Sequence, residues 1–441
     1  MVIVRFSPSP TGNIHVGNVR TALINYLFAK KNNGKFILRM DDTDPKRSDK
    51  KFTENIKNDL AWLGVSWDEF YNQSDKLEYY NKIKQDLISK KIIYPCFESE
   101  EELNLKRKAQ LARGVPPIYD RSSLKLDSAE IEAKIAKGIK PHFRFKLDDN
   151  EVSWNDGVRG KIIFKERAFS DPVIFRADGS PTYTFCSVID DIDHQITDII
   201  RGEDHISNTA VQIQIFRSLT KNLPNFHHLS LLKTKDAEIS KRIGGFEISS
   251  LRDEGIDPFA INSLLCRLGS SDNVEAYKDF SQLIESFSIN KFSKSAVLYN
   301  IKDLYKINHK IIAQRELSEV NKITGQANDI DQKFWQLIRE NLNSYNEIKD
   351  WYKIINEKPA IKFSDSDKEL LNIAHNLFSE QISLENFKDW IMEISKQSGK
   401  KGKDLYHPLR LALTGKDSGP ELSKIVATLD FSKVKERLNV S

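Results

Sequence analysis

Residues 5–18 read Arg5-Phe-Ser-Pro-Ser-Pro-Thr-Gly-Asn-Ile-His15-Val-Gly17-Asn18, and this segment takes the chain from a strand into a helix. The β-rich run Val2–Phe6 predicts a short buried strand, which the prolines and Gly12 must end. Apolar residues then recur at helical spacing from Val19 to Leu27. A second predicted strand, Phe36–Met40, follows. This strand–helix–strand order predicts a parallel sheet.

The pattern of predicted helices and strands changes along the rest of the chain. Ser99 and Glu102 form a capping box for a charged helix, and short β-like pieces with turn residues follow it. The alternation of buried strands and helices typical of a parallel sheet resumes with the predicted strand Ile196–Ile200. Beyond about Phe292 the apolar residues recur almost only at helical spacing. We therefore predict an α/β fold: a doubly wound, Rossmann-type parallel-sheet domain with an α+β insert, followed by all-helical carboxyl-terminal domains.

Composition narrows the class of protein. The 441 residues carry 67 Lys and Arg against 63 Asp and Glu, a net charge of +4, so any nucleic acid must be bound by local patches. The apolar runs are too short for a membrane span or a signal peptide. The three cysteines include no CxxC pair, which argues against a disulfide framework or a zinc ribbon. We expect a soluble cytoplasmic protein that makes no membrane contact.

Three motifs carry candidate chemistry. The helix that starts after His15 offers unpaired N–H groups to a phosphate, and Gly17 allows close approach. Asp236–Gly245 contains Ser-Lys-Arg before Gly-Gly, which suits a mobile loop that grips phosphate. Arg201, at the predicted carboxyl end of a parallel strand, suits a carboxylate. Taken singly, each motif is also compatible with an ordinary solvated loop or helix cap.

The acidic run near Arg201 has a competing interpretation as a metal cluster. Its spacings match no metal-ligand pattern, so we do not favour this interpretation. The residues concerned are Asp190, Asp191, Asp193, His194, Glu203, Asp204 and His205.

Together the motifs resemble those of bacterial glutamyl-tRNA synthetases, which are class I aminoacyl-tRNA synthetases. His15-Val16-Gly17-Asn18 is similar to the family's HIGH motif, and Glu238–Arg242 is similar to its KMSKS motif. Other segments match in order along almost the whole chain: Arg20–Leu23, Leu38–Asp44, Pro181–Tyr183, Asp190–Asp191, Ile200–His205, Gly402–Gly415 and Gly419–Leu422.

The resemblance implies activation of L-glutamate by ATP and transfer to the terminal adenosine of tRNA. It implies catalytic roles for His15, at the ATP phosphates, and Lys241, at the leaving pyrophosphate, while Mg²⁺ would arrive with ATP. The implied ATP-binding residues are Pro8, Ser9, Thr11, His15, Gly17, Asn18, Gly202, His205, Ser240, Lys241 and Arg242. The implied glutamate-binding residues are Arg5, Ser9, Asp41, Tyr183, Ser187 and Arg201, with Arg201 at the γ-carboxylate.

The resemblance also implies a domain order and partners. Residues 1–95 and 182–225 would form the split catalytic domain, residues 96–181 the insert that binds the tRNA acceptor end, residues 226–312 a stem-contact region, and residues 313–441 a helical anticodon-binding region. The expected partners are L-glutamate and tRNA(Glu), with tRNA(Gln) left open because the segment Ile243–Arg252 resembles a subgroup in which two such synthetases coexist. We expect a monomer.

Three departures from the family pattern bear on the site. Asp41 stands where the family usually has a glutamate that reaches the substrate amino group, so its contact would be shifted or bridged by water. Glu238 replaces the first lysine of the KMSKS-like loop, which leaves Lys241 as the main phosphate contact. The insert lacks the family's Cys and His zinc ligands around Cys96–Ser99 and Asp120–Ser123, so no zinc is expected.

Three alternatives have distinct sequence signatures. A short relative that glutamylates a modified tRNA base would lack the helical region from about Ala313 to Ser441. A catalytically silent tRNA-binding paralogue should have lost His15, Lys241 or Arg201, and all three are present. A small-molecule nucleotidyltransferase would not need the helical tail. None of the three is favoured.

Overall fold

The computed structural model describes residues 1–233, 246–325 and 330–440. The predicted loop motif Asp236–Gly245 lies outside the described residues. The strands are β1 (Ile3–Phe6), β2 (Lys35–Met40), β3 (Glu69–Asn72), β4 (Ile93–Cys96), β5 (His142–Phe145), β6 (Val152–Asp156), β7 (Gly160–Phe164), β8 (Val173–Phe175), β9 (Asp198–Gly202), β10 (Asn225–Leu229), β11 (Leu232–Lys233) and β12 (Val297–Leu298).

The helices occur along the whole of the described chain. They are α1 (Val16–Lys31), α2 (Lys50–Trp62), α3 (Leu77–Ser89), α4 (Glu100–Ala112), α5 (Ser128–Ala136), α6 (Tyr183–Asp193), α7 (Ile206–Leu219), α8 (Ile248–Asp253), α9 (Pro258–Arg267), α10 (Ser281–Ser286), α11 (Ile301–Gln314), α12 (Leu317–Thr324), α13 (Gln332–Ile338), α14 (Glu347–Asn356), α15 (Asp365–Leu377), α16 (Phe387–Ser398), α17 (Lys403–Thr414), α18 (Leu422–Thr428) and α19 (Phe431–Leu438).

A parallel sheet forms the central layer of the amino-terminal half. β1 pairs with β2, β2 with β3, and β9 with β10, all in parallel. The backbone N–H of Thr197 donates to the carbonyl oxygen of Ile3 at 2.9 Å, which sets β9 beside β1. The resulting strand order is β3-β2-β1-β9-β10. From β1 the chain adds β2 and β3 on one side and later adds β9 and β10 on the other side, so the winding of the sheet switches between β1 and β9. The doubly wound fold is confirmed, and ligands bind at such reversal points in open sheets.

The buried strands explain why the sequence predicted this sheet. Val4, Phe36 and Leu38 are fully buried, as expected for parallel strands that are covered on both faces. β3 was not predicted, because its sequence Glu69-Phe-Tyr-Asn72 has polar ends and lies at a half-exposed edge. β9 begins two residues later than the predicted strand Ile196–Ile200.

The insert mixes antiparallel strands with two short helices. β4, β5 and β8 form a three-stranded sheet with antiparallel pairing, and β6 and β7 form an antiparallel hairpin. The capping box is present at the start of α4, where the backbone N–H of Glu102 donates to Ser99 Oγ at 3.2 Å and the Glu102 carboxylate accepts from the Ser99 N–H at 2.8 Å. These elements confirm the predicted α+β character.

The chain forms two compact units. Unit 1 comprises residues 1–249, 262–274 and 279–300, and unit 2 comprises residues 250–261, 275–278 and 301–441. The catalytic and insert regions predicted from sequence therefore lie in one unit, whereas the predicted stem-contact region 226–312 is divided between both. Unit 2 contains α11 to α19, and its apolar core includes the fully buried residues Trp335, Leu371 and Leu409.

One polar cluster is buried within unit 2. Arg315 donates to both carboxylate oxygens of Asp257, at 2.9 and 3.0 Å, and Tyr345 donates to the same carboxylate at 2.6 Å. Because every charge is paired, the cluster is compatible with its burial. None of the described helices combines the length and apolar character that a bilayer span requires.

Candidate active site

A cavity of about 1000 Å³ opens at the carboxyl-terminal ends of β1, β2 and β9, within unit 1. Twelve of the predicted site residues line it: Arg5, Pro8, Ser9, Thr11, His15, Gly17, Asn18, Asp41, Tyr183, Arg201, Gly202 and His205. Ser187 does not line it, since this serine is fully buried and accepts a hydrogen bond from Arg39 Nη2 at 3.1 Å. Ser240, Lys241 and Arg242 lie outside the described residues.

The amino-terminal end of α1 borders the cavity. His15 caps this helix, because its Nδ1 accepts the backbone N–H of Gly17 at 3.1 Å. A Cβ on Gly17 would lie 2.9 Å from the imidazole Cε1, so this cap requires glycine. Burial lowers the pKa of His15, although the charge of Glu247 opposes the shift. In neutral His15, Nδ1 is the acceptor and Nε2 therefore carries the proton and can donate. The backbone N–H groups at the start of α1 lie beside it and suit a phosphate.

Arg201, in β9, is a buried cation, and its hydrogen bonds to described residues all go to neutral oxygens. Its Nη1 donates to Tyr183 Oη at 3.0 Å, and its Nη2 donates to Thr209 Oγ1 at 2.6 Å and to Gln212 Oε1 at 2.7 Å. Its Nε is buried without a hydrogen-bond partner in the part of the chain that the structure describes. Burial lowers the pKa of this guanidinium, and Arg5 adds to the effect. The cavity thus holds positive charge that an entering anion would compensate.

Arg5 is different, because it already has a carboxylate. Its Nε lies 3.0 Å and its Nη2 3.3 Å from the two oxygens of Asp191. Arg39 Nη1 shares that carboxylate at 2.9 Å, and Arg39 Nε donates to Asp41 Oδ1 at 2.6 Å. Two arginines and two aspartates therefore form one buried network, of which Arg5 and Asp41 reach the cavity.

A second layer supports this network from below. Asp190 accepts hydrogen bonds from Gln73 Nε2 at 2.7 Å and from Tyr80 Oη at 2.9 Å, and Lys76 Nζ lies 3.2 Å from it. Burial raises the pKa of Asp41 to about 6, even though Arg39 opposes the shift. Asp41 is thus a carboxylate whose charge is sensitive to pH near neutrality.

The acidic run considered as a metal cluster is divided among separate ion pairs. Asp191 binds Arg5 and Arg39, Glu203 lies 2.7 Å from Arg159, and His194 lies 3.2 Å from Glu69. Two carboxylates of the run, those of Asp191 and Glu203, are therefore paired with arginines.

Another possible ligand trio lies in the insert. Atoms of Cys96, Glu98 and His142 come within 4.8 Å of one another. The Glu98 carboxylate already accepts from three hydroxyls, those of Tyr119 at 2.7 Å, Ser122 at 2.8 Å and Ser123 at 2.9 Å. Burial raises the pKa of the Cys96 thiol to about 11, so a thiolate ligand is disfavoured. The trio falls short of the four ligands of a structural zinc site.

Sequence reasoning missed the residues that hold the site from behind. Thr209, Gln212 and Arg39 contact predicted site residues but stand in helices and strands that looked like ordinary core. Arg39 carried a signal, because a charged residue inside the buried strand β2 requires a partner. Arg47 and Arg176 also line the cavity and were not predicted.

Known proteins resemble the chain along its whole length. Residues 1–306 match the family model described as tRNA synthetases class I (E and Q), catalytic domain, and residues 302–441 match the one described as Anticodon binding domain. The Glutamate--tRNA ligase 1 of Rickettsia prowazekii (strain Madrid E) is 48% identical over 440 residues, which cover 99% of this chain and 98% of that protein.

Two further comparisons agree. The Glutamate--tRNA ligase 2 of Rickettsia canadensis (strain McKiel) is 47% identical over 441 residues, with 99% of both chains covered. The crystal structure of a glutamate tRNA ligase from Elizabethkingia meningosepticum in complex with its amino acid superimposes with a TM-score of 0.85 at 26% identity, and covers 99% of this chain and 98% of its own.

Proposed function

Because this chain belongs to the class I tRNA synthetases for glutamate and glutamine (E and Q), we propose that it is a glutamate–tRNA ligase whose selectivity for glutamate depends on Arg201. In the first step the α-carboxylate of glutamate attacks the α-phosphorus of ATP, which forms glutamyl-adenylate and releases pyrophosphate. In the second, a ribose hydroxyl of the terminal adenosine attacks the activated carbonyl, which releases AMP.

Among the described residues, Arg201 is a buried cation with no carboxylate within ion-pair distance, and this observation carries the proposal. A γ-carboxylate that enters the cavity beside Arg201 would supply the missing negative charge. The side-chain amide of glutamine would leave the guanidinium uncompensated. Sites built on such pairing reject the wrong substrate strongly. Arg5 is less suited to this role because Asp191 already compensates it.

The other end of the substrate would meet Asp41 and Ser9. The Asp41 carboxylate borders the cavity and is anchored from behind by Arg39, so it can accept the substrate α-ammonium from a fixed position. Arg5 and Tyr183 complete the pocket wall. Ser187, buried behind Arg39, would act on the pocket only through that arginine.

The ATP phosphates would lie at the start of α1. His15 Nε2–H and the helix N–H groups can stabilise charge as the α-phosphorus is attacked, and most of the catalysis would be positioning and charge stabilisation. The ATP site would also include Pro8, Thr11, Asn18, Gly202 and His205, which line the same cavity. Lys241, Ser240 and Arg242 would hold the pyrophosphate, and Mg²⁺ would enter bound to ATP.

The tRNA would contact both units. We assign the acceptor end to the insert, residues 96–181, and the anticodon to the helical carboxyl-terminal region, which matches an anticodon-binding model. That match also disfavours the base-modifying alternative, which lacks such a domain. The enzyme is expected to act as a cytoplasmic monomer, and charging of tRNA(Gln) as well as tRNA(Glu) is a further proposal.

Glutamate-dependent ATP–pyrophosphate exchange tests the function. It is run without tRNA, with tRNA(Glu) and with tRNA(Gln), in wild type and in Arg201→Gln. Exchange that requires a tRNA supports a glutamate–tRNA ligase, and the tRNA that works gives the specificity. A higher KM for glutamate in Arg201→Gln than in wild type supports the assigned role. Absence of exchange under all three conditions would favour the silent tRNA-binding paralogue.

A further inference from the structure

A chain of buried hydrogen bonds connects the insert hairpin to Arg201. Thr209 Oγ1, which accepts from Arg201, lies 2.8 Å from His228 Nε2. On the other side of the ring, His228 Nδ1 lies 2.5 Å from Asp156 Oδ2. His228 belongs to β10, and Asp156 is the last residue of β6. His228, Thr209 and Asp156 are all buried, His228 completely.

The proton positions along this chain follow from the donors available. Asp156 Oδ1 accepts the backbone N–H groups of His228, Val158 and Arg159, at 3.0 to 3.1 Å, so this carboxylate is fixed as an acceptor. His228 must then carry its proton on Nδ1. Burial lowers the pKa of His228, which keeps Nε2 unprotonated. The Thr209 hydroxyl lies 2.8 Å from Nε2 and 3.1 Å from the carbonyl oxygen of His205. With Nε2 unprotonated, the shorter contact can take the hydroxyl proton, and the lone pairs of Oγ1 remain for Arg201.

The hairpin turn is docked tightly enough to hold this geometry. The backbone N–H of Gly157 donates to the carbonyl oxygen of Phe226 at 2.9 Å. A Cβ on Gly157 would lie 2.0 Å from the His227 ring, so the turn meets β10 without space for a side chain. Arg159, which follows Val158, forms an ion pair with Glu203, with 2.7 Å between Nη1 and Oε2. The turn thus reaches the strand end that carries Arg201.

We propose that His228 is a positioning residue for recognition of the substrate γ-carboxylate, held in place by Asp156 of the insert. It acts through Thr209, whose hydroxyl orients Arg201. This inference rests on the proposed function, because it assigns Arg201 to the γ-carboxylate. It makes the insert a structural part of the amino-acid pocket in addition to its proposed role at the tRNA acceptor end.

Steady-state charging of tRNA(Glu) by four variants tests the proposal. His228→Gln and Thr209→Val should each raise KM for glutamate by about tenfold, the scale of one lost hydrogen bond to a charged group, while KM for ATP stays within about twofold. Thr209→Ser, which restores the hydroxyl, should return KM to near the wild-type value. His227→Gln is the matched control, because His227 neighbours His228 and has its own buried partner, Asp198, at 3.0 Å.

The double variant separates a positioning role from a merely structural one. If His228 acts through Thr209, the pair His228→Gln and Thr209→Val should raise KM no further than Thr209→Val alone. Additive effects, or an unchanged KM in His228→Gln, would overturn the proposal. Should His228→Gln fail to fold, Asp156→Asn tests the same link, because it removes the charge that fixes the Nδ1 proton; an unchanged KM there would count equally against it.

Calorimetric binding of glutamate separates this inference from the proposed function. Weaker glutamate binding by His228→Gln, with ATP binding intact, supports the positioning role whether or not tRNA is charged. A wild type that binds glutamate but charges no tRNA would contradict the proposed function alone. Equal glutamate binding by wild type and His228→Gln would contradict the inference alone.

Discussion

Arg39 and Asp41 form an ion pair beneath the cavity, with Arg39 Nε 2.6 Å from Asp41 Oδ1. Arg39 is fully buried, whereas Asp41 borders the cavity. If Asp41 receives the substrate amino group, as proposed, this pair would hold its short carboxylate in a fixed position.

The pKa of Asp41 predicts a pH-dependent KM for glutamate. Burial raises this pKa to about 6, so the carboxyl group is neutral below that pH and ionised above it. Binding of the α-ammonium requires the ionised form. KM should therefore be constant above about pH 7 and rise by up to tenfold per pH unit below about pH 6. KM for ATP, measured at each pH, controls for titration of the phosphates.

Asp41→Asn should remove this dependence. Its KM for glutamate should be high and the same across the pH range, because no group at that position titrates. The other charges facing Asp41 are Arg39, Arg5 and Asp190. A wild-type KM that stays flat well below pH 6 would contradict the assignment of Asp41 to the amino group.

Replacement of Arg39 should destabilise the fold strongly. Arg39→Gln leaves the buried Asp41 carboxylate without its ion-pair partner, although Asp191 keeps Arg5, and this loss costs about 3–5 kcal/mol in the free energy of unfolding. Urea denaturation measures the loss. Lys90→Gln is the control, because the Lys90–Asp86 pair lies on the surface and should change stability by less than about 1 kcal/mol. Similar losses in both variants would argue against the buried network.

Gly17→Ala should impair catalysis by displacing His15. The new Cβ would meet the imidazole at 2.9 Å, which breaks the cap at the start of α1 and moves Nε2–H. We expect kcat to fall by about tenfold or more. A Gly17→Ala enzyme with normal kcat would contradict the proposed role of His15.

Purified protein should contain no stoichiometric zinc. Hydroxyl groups satisfy Glu98, and the pKa of Cys96 disfavours a thiolate, so the trio with His142 should remain a hydrogen-bonded cluster. Elemental analysis measures the metal content, and Tm with and without a chelator tests its structural importance. One zinc per chain, with a lower Tm after chelation, would contradict this prediction.

Local patterns predicted the elements of the sheet well. The predicted strand before residues 7–12 and the predicted helix and strand after them are present as β1, α1 and β2. In this segment the spacing of apolar residues and the positions of the turn residues indicate the same elements. β3 escaped prediction because its stability comes from pairing with β2 and not from its own sequence. The compact units also differ from the predicted domain boundaries, since residues 262–274 and 279–300 return to unit 1.

Motifs in the sequence pointed to residues that line the cavity, but not to the residues that support them from behind. His15 and Arg201 stand in recognisable segments that border the cavity, as predicted for the strand ends of a parallel sheet. His228 and Asp156 are 72 residues apart, and neither has a local pattern that points to the other. Such contacts depend on how the hairpin docks on β10, which periodicity does not encode.

The docking of that hairpin on β10 restricts which residues can replace those of the hairpin. Asp156 comes from the insert and His228 from the sheet, yet both belong to one hydrogen-bonded unit. The insert is therefore not an exchangeable module. A recombinant that replaces residues 152–164 would keep the partner of His228 only with an aspartate at position 156, and it would need a glycine at position 157 to clear His227.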